Sequence, residues 1–184
     1  MKTTVDNFSI APIHQKDAWR LCDFVVINEK YLKDYFPETL RENLNPTLSE
    51  LFVGKKQKQF DQKEEFLFTI KENTNRTIVG LVYVKELFKR QGQGELAYCI
   101  GYQYSGKGLM TKFVKEILKW SFDKASLSKL QIIVHESNLA SNQIAKRLGF
   151  KFIEVLPNEH KMSDGRLADM RLYELNKTDY AYLT

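Results

Sequence analysis

A chain of 184 residues with 43% hydrophobic and 28% charged side chains can bury roughly 70% of its unfolded surface, which excludes disordered and fibrous classes and fits one core. Its net charge of +5 comes from lysines spread over several segments, so composition points neither to a nucleic-acid patch nor to a membrane surface. No apolar run approaches the ~20 residues of a membrane span, and Asp6 and Asn7 stand where a secretory signal would need its apolar segment. The expectation is a cytoplasmic protein with one domain over residues 1–175 and a tail over 176–184. Cys22 and Cys99 are too few and too distant for a disulfide framework, and His14, His135 and His160 are too scattered for a metal site.

In chain order, Phe8-Ser9-Ile10-Ala11-Pro12-Ile13 alternates apolar and polar residues and predicts a short first strand at a sheet edge. Over residues 16–34, Ala18, Leu21, Val25 (or Cys22), Ile27 and Leu32 recur at near-helical spacing, so one helix is expected there, broken by Tyr35-Phe36-Pro37. Asn45-Pro46-Thr47 predicts the start of a second helix whose apolar face carries Leu48, Leu51, Phe52 and Phe60, with Lys55, Lys56 and Lys58 opposite. Residues 65–71 and 77–84 read as a hairpin around Asn73-Thr74-Asn75-Arg76. A polar loop over residues 89–94 then leads to a strand over residues 95–102.

After that strand comes Gln103-Tyr104-Ser105-Gly106-Lys107-Gly108, and after it a helical pattern: Leu109, Met110, Phe113, Val114, Ile117, Leu118 and Trp120 on one face. Two glycines allow backbone to approach a ligand closely, and the N–H groups opening the helix lack intrahelical partners. Together with the helix dipole, these donors favour a pyrophosphate. Residues 129–134 predict a short strand covered on both faces, hence a parallel pair joined by the crossover helix. Asn138 caps a helix bearing Ala140, Ile144, Ala145 and Leu148 that stops at Gly149. Strands over residues 150–156 and 167–175 close the pattern.

These residues carry a resemblance to the GNAT superfamily of acetyl-CoA-dependent N-acetyltransferases, in particular to its Rim-type branch of ribosomal-protein N-terminal acetyltransferases. Gln103-x-x-Gly106-x-Gly108 resembles the superfamily's pyrophosphate loop. Glu95-Leu96-Ala97-Tyr98-Cys99-Ile100 is similar to the branch's Glu-Ile-Gly-Tyr-Trp-Ile strand, and Asn138-x-x-Ser141 with Leu148-Gly149-Phe150 to its Asn-x-x-Ser…Leu-Gly-Phe segment. Ala97 and Cys99 depart from the Gly and Trp common there. The resemblance implies an α/β (α+β) fold: a mixed, mostly antiparallel central sheet of about seven strands with a splayed parallel pair, flanked by about four helices.

It implies acetyl-CoA as cosubstrate. Gln103, Tyr104, Ser105, Gly106, Lys107, Gly108, Leu109 and Met110 would cradle its pyrophosphate, and the main chain at Cys99 and Ile100 would meet the pantetheine arm as an added strand does. Asn138 and Ser141 would lie near the thioester, with Ser141 assisting the thiolate. Glu95 is the candidate carboxylate for taking a proton from the attacking amine, and Tyr98 and Tyr35 are candidates for the acceptor pocket. Bland roles remain open: Asn138 as a helix cap, Cys99 as a small buried residue, Tyr98 and Tyr173 as packing, His135 and Glu136 as a solvated loop.

The implied reaction is acetyl transfer to a primary amine, of a protein N-terminus or a small molecule, by direct attack in a ternary complex. Positioning would matter more than strong acid-base catalysis, because a thiolate with a pKa near ~8.5 leaves readily. The alternative is a non-catalytic CoA-binding sensor or interaction module on the same fold. No nucleic-acid or membrane partner is expected, and a homodimer is a candidate assembly.

Overall fold

Thr3–Val5 (β1) turns back at Asp6, where φ is 51°, onto Phe8–Pro12 (β2), pairing Thr3 with Ile10 and Val5 with Phe8. The expected first strand is therefore not an edge, because the three residues of β1 cover it. The computed structural model describes residues 2–85, 87 and 92–181. Part of the expected 89–94 loop, residues 89–91, lies outside the described residues. The chain divides into two compact units, one of Met1–Tyr83 with Tyr98–Leu109 and one of Val84–Ala97 with Met110–Thr184.

In the first unit the helix expected over residues 16–34 is two: Ala18–Ile27 (α1) and Glu29–Leu32 (α2), divided at Asn28. Asn28 turns its amide back to the Phe24 carbonyl at 2.8 Å, the local competition with helical backbone that makes asparagine a poor interior residue. Pro37–Arg41 (α3) begins on a proline, whose missing N–H costs nothing in a first turn. Pro46–Asp61 (α4) is capped as expected, with Asn45 Oδ1 accepting from the Leu48 N–H at 3.0 Å. The buried face of α4 differs from the expected one. Ser49, Phe52, Val53 and Lys56 point inward, whereas Leu51 is 68% exposed. Lys56 is tolerated there because it meets Glu65 at 2.6 Å.

Phe66–Glu72 (β3) pairs antiparallel with β2, setting Ile10 opposite Ile70, and Ile78–Lys85 (β4) follows. Strand order in this unit is β1-β2-β3-β4, then the last residues of Gln93–Ile100 (β5). Ile10, Leu21, Val25, Leu67, Val79 and Leu81 are fully buried and form its core. Beside them lies an ion pair: Lys71 Nζ meets Asp17 at 2.7 and 2.8 Å, both side chains nearly inaccessible. Desolvation lowers the Lys71 pKa, and Asp17 opposes that shift.

The second unit holds the start of β5, then Leu109–Asp123 (α5) beyond its first residue, Lys129–His135 (β6), Leu139–Arg147 (α6), Lys151–Lys161 (β7), Leu167–Asn176 (β8) and Lys177–Ala181 (α7). Its strand order is β5-β6-β8-β7. The expected parallel pair is present, with a ladder running from Gln93↔Lys129 to Glu95↔Gln131, so Gln93 and Gly94 belong to the strand rather than to a loop. The α5 face is as expected: Phe113, Val114, Ile117 and Leu118 are fully buried.

Two expectations need correction here. β6 alternates buried and half-buried residues instead of being covered on both faces. β7 continues past Leu156 through Pro157 to Lys161, accommodated by register shifts after Phe152 and Leu156; proline is tolerated at an edge strand or bulge. The described residues form eight strands and seven helices, more than the expected seven and four, because β1 and the four- or five-residue helices α2, α3 and α7 carry too few residues to show a period.

Candidate functional site

The glycine stretch begins where β5 ends. The Gly101 N–H bonds the Val79 carbonyl at 2.8 Å, and a 3₁₀ turn over Tyr102–Tyr104 follows. Asn28 holds this turn: its Oδ1 accepts from the Tyr102 N–H at 3.0 Å while its amide is anchored on Phe24. Tyr102 stacks on Tyr31 with centroids 5.8 Å apart, and Gln103 turns its amide to the Tyr102 hydroxyl at 3.2 Å. Tyr104 donates to Glu72 at 2.9 Å and sets its ring edge-on to Phe8. Burial, and then the neighbouring Glu72 carboxylate, raise the Tyr104 pKa, so it stays a neutral donor. The loop is thus pinned on its strand side by side chains.

Beyond Tyr104 the loop is open. Gly106 and Gly108 have φ of 75° and 71°, a region other residues enter only at a cost, and a Cβ placed on either would meet nothing within 4 Å. Space for a ligand therefore lies directly over backbone whose next residues open a 15-residue helix with unpaired first N–H groups. Ser105 and Lys107 are exposed, and the Lys107 ammonium sits 5.7 Å from the Tyr104 ring. Leu109 is half-buried and the Met110 side chain is buried, so only the backbone of these two residues, in the first turn of α5, could take part in holding a ligand. The arrangement fits a pyrophosphate, bound by backbone donors at the positive end of a helix dipole.

Along β5, Tyr98, Cys99 and Ile100 are half-buried. Burial pushes the Cys99 thiol up to about 12, only partly offset by a bond with the Leu81 backbone, so the thiol is protonated at neutral pH. Glu95 is engaged: its carboxylate meets Lys85 Nζ at 3.0 Å. Lys85 carries no motif, and nothing in the sequence marks it as that partner.

In the second unit the β6–α6 turn is built around Asn142. Its amide donates to the carbonyls of His135, Glu136 and Asn138 at 3.0, 3.3 and 2.8 Å, and its Oδ1 accepts from the Tyr173 hydroxyl at 2.9 Å. Asn138 Oδ1 caps α6 on the Ser141 N–H at 3.1 Å, as expected, and Ser141 is half-buried. Tyr173, expected as packing or pocket lining, is 2% exposed and reaches the turn through Asn142. Sequence analysis missed both Asn142 and Asn28. Each is an asparagine inside a helical pattern, a residue type with reason to be there only if its side chain bonds backbone.

Beyond this turn a groove of about 540 Å³ is lined by His135, Glu136 and Ser137 on one side and by Met162, Arg166, Asp169 and Arg171 on the other. It joins the segment after β6 to the hairpin between β7 and β8, and its walls carry both signs of charge. Tyr35 lies in the first unit, half-buried between α2 and α3, its N–H bonded to the Leu32 carbonyl at 3.2 Å. Its neighbour α3 is tied to β4 by Thr39 Oγ1 and the Tyr83 hydroxyl, 2.9 Å apart.

A mixed sheet with one parallel pair and a glycine loop opening the crossover helix defines a cofactor-dependent acyltransferase fold. Over residues 8–151 the chain matches the acetyltransferase (GNAT) domain family, and it belongs to that family. It is an N-acetyltransferase with acetyl-CoA as cosubstrate. The [ribosomal protein uS5]-alanine N-acetyltransferase of Escherichia coli K12 is 23% identical over 181 residues, covering 98% of this chain and 93% of that one. Among solved structures, the ribosomal-protein-S5-alanine acetyltransferase of Vibrio fischeri shares the fold with a TM-score of 0.91 at 18% identity, covering 98% of each chain. The microcin C7 self-immunity acetyltransferase, in complex with acetyl-CoA and AMP, does so with a TM-score of 0.82 at 21% identity, covering 94% of this chain and 93% of that one. Among the described residues no helix is long and apolar enough to cross a membrane.

Proposed function

We propose that this acetyltransferase modifies the N-terminal α-amine of a polypeptide by direct attack on the thioester. The observation that carries the cofactor side is the open cradle over Gly106 and Gly108, which has room for a pyrophosphate and donors to hold it. The raised Cys99 thiol supports direct transfer, since a protonated thiol offers no route through an acyl-enzyme. The names of the uS5-alanine relatives support a protein N-terminus, and the groove beside Ser137 is larger than a simple amine needs.

Acetyl-CoA supplies the activated acetyl group. Glu95, through water, takes the proton released by the amine, and Lys85 keeps its carboxylate in place. Ser141 gives a hydrogen bond or proton to the departing thiolate, while Asn138 fixes the first turn of α6 that carries it. A backbone N–H near Cys99 or Ile100 stabilises the charge developing on the acetyl oxygen. An α-amine, with a pKa near ~8, reaches its neutral form more easily than a lysine amine near ~10.4.

The test measures CoA-thiol release from acetyl-CoA with peptides bearing a free N-terminus, with N-terminally blocked lysine peptides, and with polyamines. Turnover confined to the free N-terminus is expected. Faster turnover of the lysine or polyamine acceptors rejects the proposal.

A further inference from the structure

We infer that Asn28 is a positioning residue for acetyl-CoA: through one hydrogen bond to the Tyr102 main chain it sets how the chain enters the cradle of Gly106 and Gly108, an inference that rests on the cradle reading above and not on the identity of the amine. Asn28 is 4% exposed and stands where α1 ends and α2 begins, its carbonyl accepting from the N–H groups of Tyr31 and Leu32 at 2.9 and 3.1 Å. Both ends of its side-chain amide are used. Nδ2 donates to the Phe24 carbonyl at 2.8 Å and Oδ1 accepts from the Tyr102 N–H at 3.0 Å, and the flipped amide would set donor against donor and acceptor against acceptor. The amide also lies against the end of β5, since a Cβ on Gly101 would fall 3.6 Å from Oδ1 and from Nδ2.

Two features give this bond a weight beyond joining two helices. A cavity of about 120 Å³ separates α1 from the turn, with Phe24, Ile27 and Ile78 facing Gly101, Tyr102 and Tyr104 across it. A void supplies no packing contacts, so polar ties fix the turn on this side. The Tyr31–Tyr102 stack adds a tie, but its rings are 59% and 48% exposed. The second feature is proximity along the chain. The Tyr102 carbonyl accepts from the Ser105 N–H at 3.2 Å, and Gly106 is the next residue, so a rotation of the turn passes directly into the cradle. There a Cβ on Gly106 or Gly108 would meet nothing within 4 Å, so the protein offers no wall on that side to correct the shift. Donors aimed at a ligand act best when their supports are rigid, and Asn28 is such a support.

Two variants of one residue isolate the bond. Tyr102→Ala and Tyr102→Pro both remove the stacked ring, but only proline removes the N–H. Gly101, with φ of −58° and ψ of 142°, already has the extended conformation that a following proline requires. Calorimetric titration with acetyl-CoA should give Tyr102→Pro a Kd roughly tenfold above that of Tyr102→Ala, the effect of leaving one buried hydrogen-bond partner unpaired. Asn28→Leu should weaken binding to a similar extent relative to the wild-type protein. A merely structural role would instead reduce the folded fraction, which lowers the binding stoichiometry and leaves Kd unchanged. That pattern, or equal Kd values in the two Tyr102 variants, would overturn the inference. Gly106→Ala keeps the two readings apart. If it weakens acetyl-CoA binding while the Tyr102 variants do not differ, the role of Asn28 falls and the cradle stands; if it leaves Kd unchanged, the cradle reading falls and this inference with it.

Discussion

The Tyr173 hydroxyl donates to Asn142 Oδ1 at 2.9 Å inside the second unit, and through that bond β8 governs the turn that starts α6. Asn142 then spends its amide on three carbonyls of residues 135–138. Removing the hydroxyl strands a buried acceptor, a loss of about 1–3 kcal/mol. Tyr173→Phe should therefore lower the denaturation midpoint and also raise the KM for acetyl-CoA, because Asn138 and Ser141 sit on the loosened turn. A stability loss with unchanged kinetics would show that the turn does not position the reaction.

At the glycine cradle, alanine substitution separates strain from ligand binding. Gly106→Ala and Gly108→Ala each place a residue at positive φ, costing about 1–2 kcal/mol, but the added methyl meets no protein atom. Calorimetric titration should show acetyl-CoA affinity falling well beyond that cost, since the methyl enters the ligand's space. Parallel, small changes in stability and affinity would argue against backbone contact with the pyrophosphate.

Asp17 and Lys71 form a buried pair far from the glycine loop in sequence. Asp17→Ala leaves an ammonium without its counter-charge and should destabilise the fold by about 3–5 kcal/mol. Pairing it with Lys71→Met should recover most of that loss. Urea denaturation of the two variants measures both quantities, and a double variant no better than the single would show that packing, not charge, sets the cost.

Cys99 sets a pH dependence with a definite sign. Its folded pKa of about 12 lies above the ordinary thiol value of 9.0, so in the unfolded chain the thiol ionises first. The unfolded state is then favoured progressively as pH rises from 9 towards 12, and the contribution is fully present below 9. Compared with Cys99→Ala, the wild-type protein should lose stability over that window, and the native thiol should resist alkylation at pH 8. Rapid alkylation of Cys99 in the folded protein would contradict the burial argument.

Glu95 and Lys85 can be separated kinetically. Glu95→Gln should reduce kcat by about a hundredfold or more if the carboxylate takes the proton. Lys85→Met should cost less, because it removes only the restraint on that carboxylate. Equal losses in both variants would mean that the ion pair acts as a structural unit.

The sequence by itself determined whatever is local or repeats over many residues. The period of α5 marked Phe113 to Leu118, the glycines marked the cradle, and Asn45 and Asn138 marked helix starts, because each signal needs only a few neighbouring residues. The glycines and the helix start pointed to a pyrophosphate, and the resemblance of the motifs to the GNAT superfamily implied acetyl-CoA. Tertiary structure decided what depends on partners distant in sequence. It set Asn28 on the Tyr102 backbone, Lys85 on Glu95 and Tyr173 on Asn142, and it turned Lys56 inward to Glu65 and Leu51 outward. Asparagine, lysine and tyrosine side chains look alike in a sequence whether solvated or paired. Only their surroundings in the folded chain fix which bonds they make, and so which turn, strand or groove they hold in place.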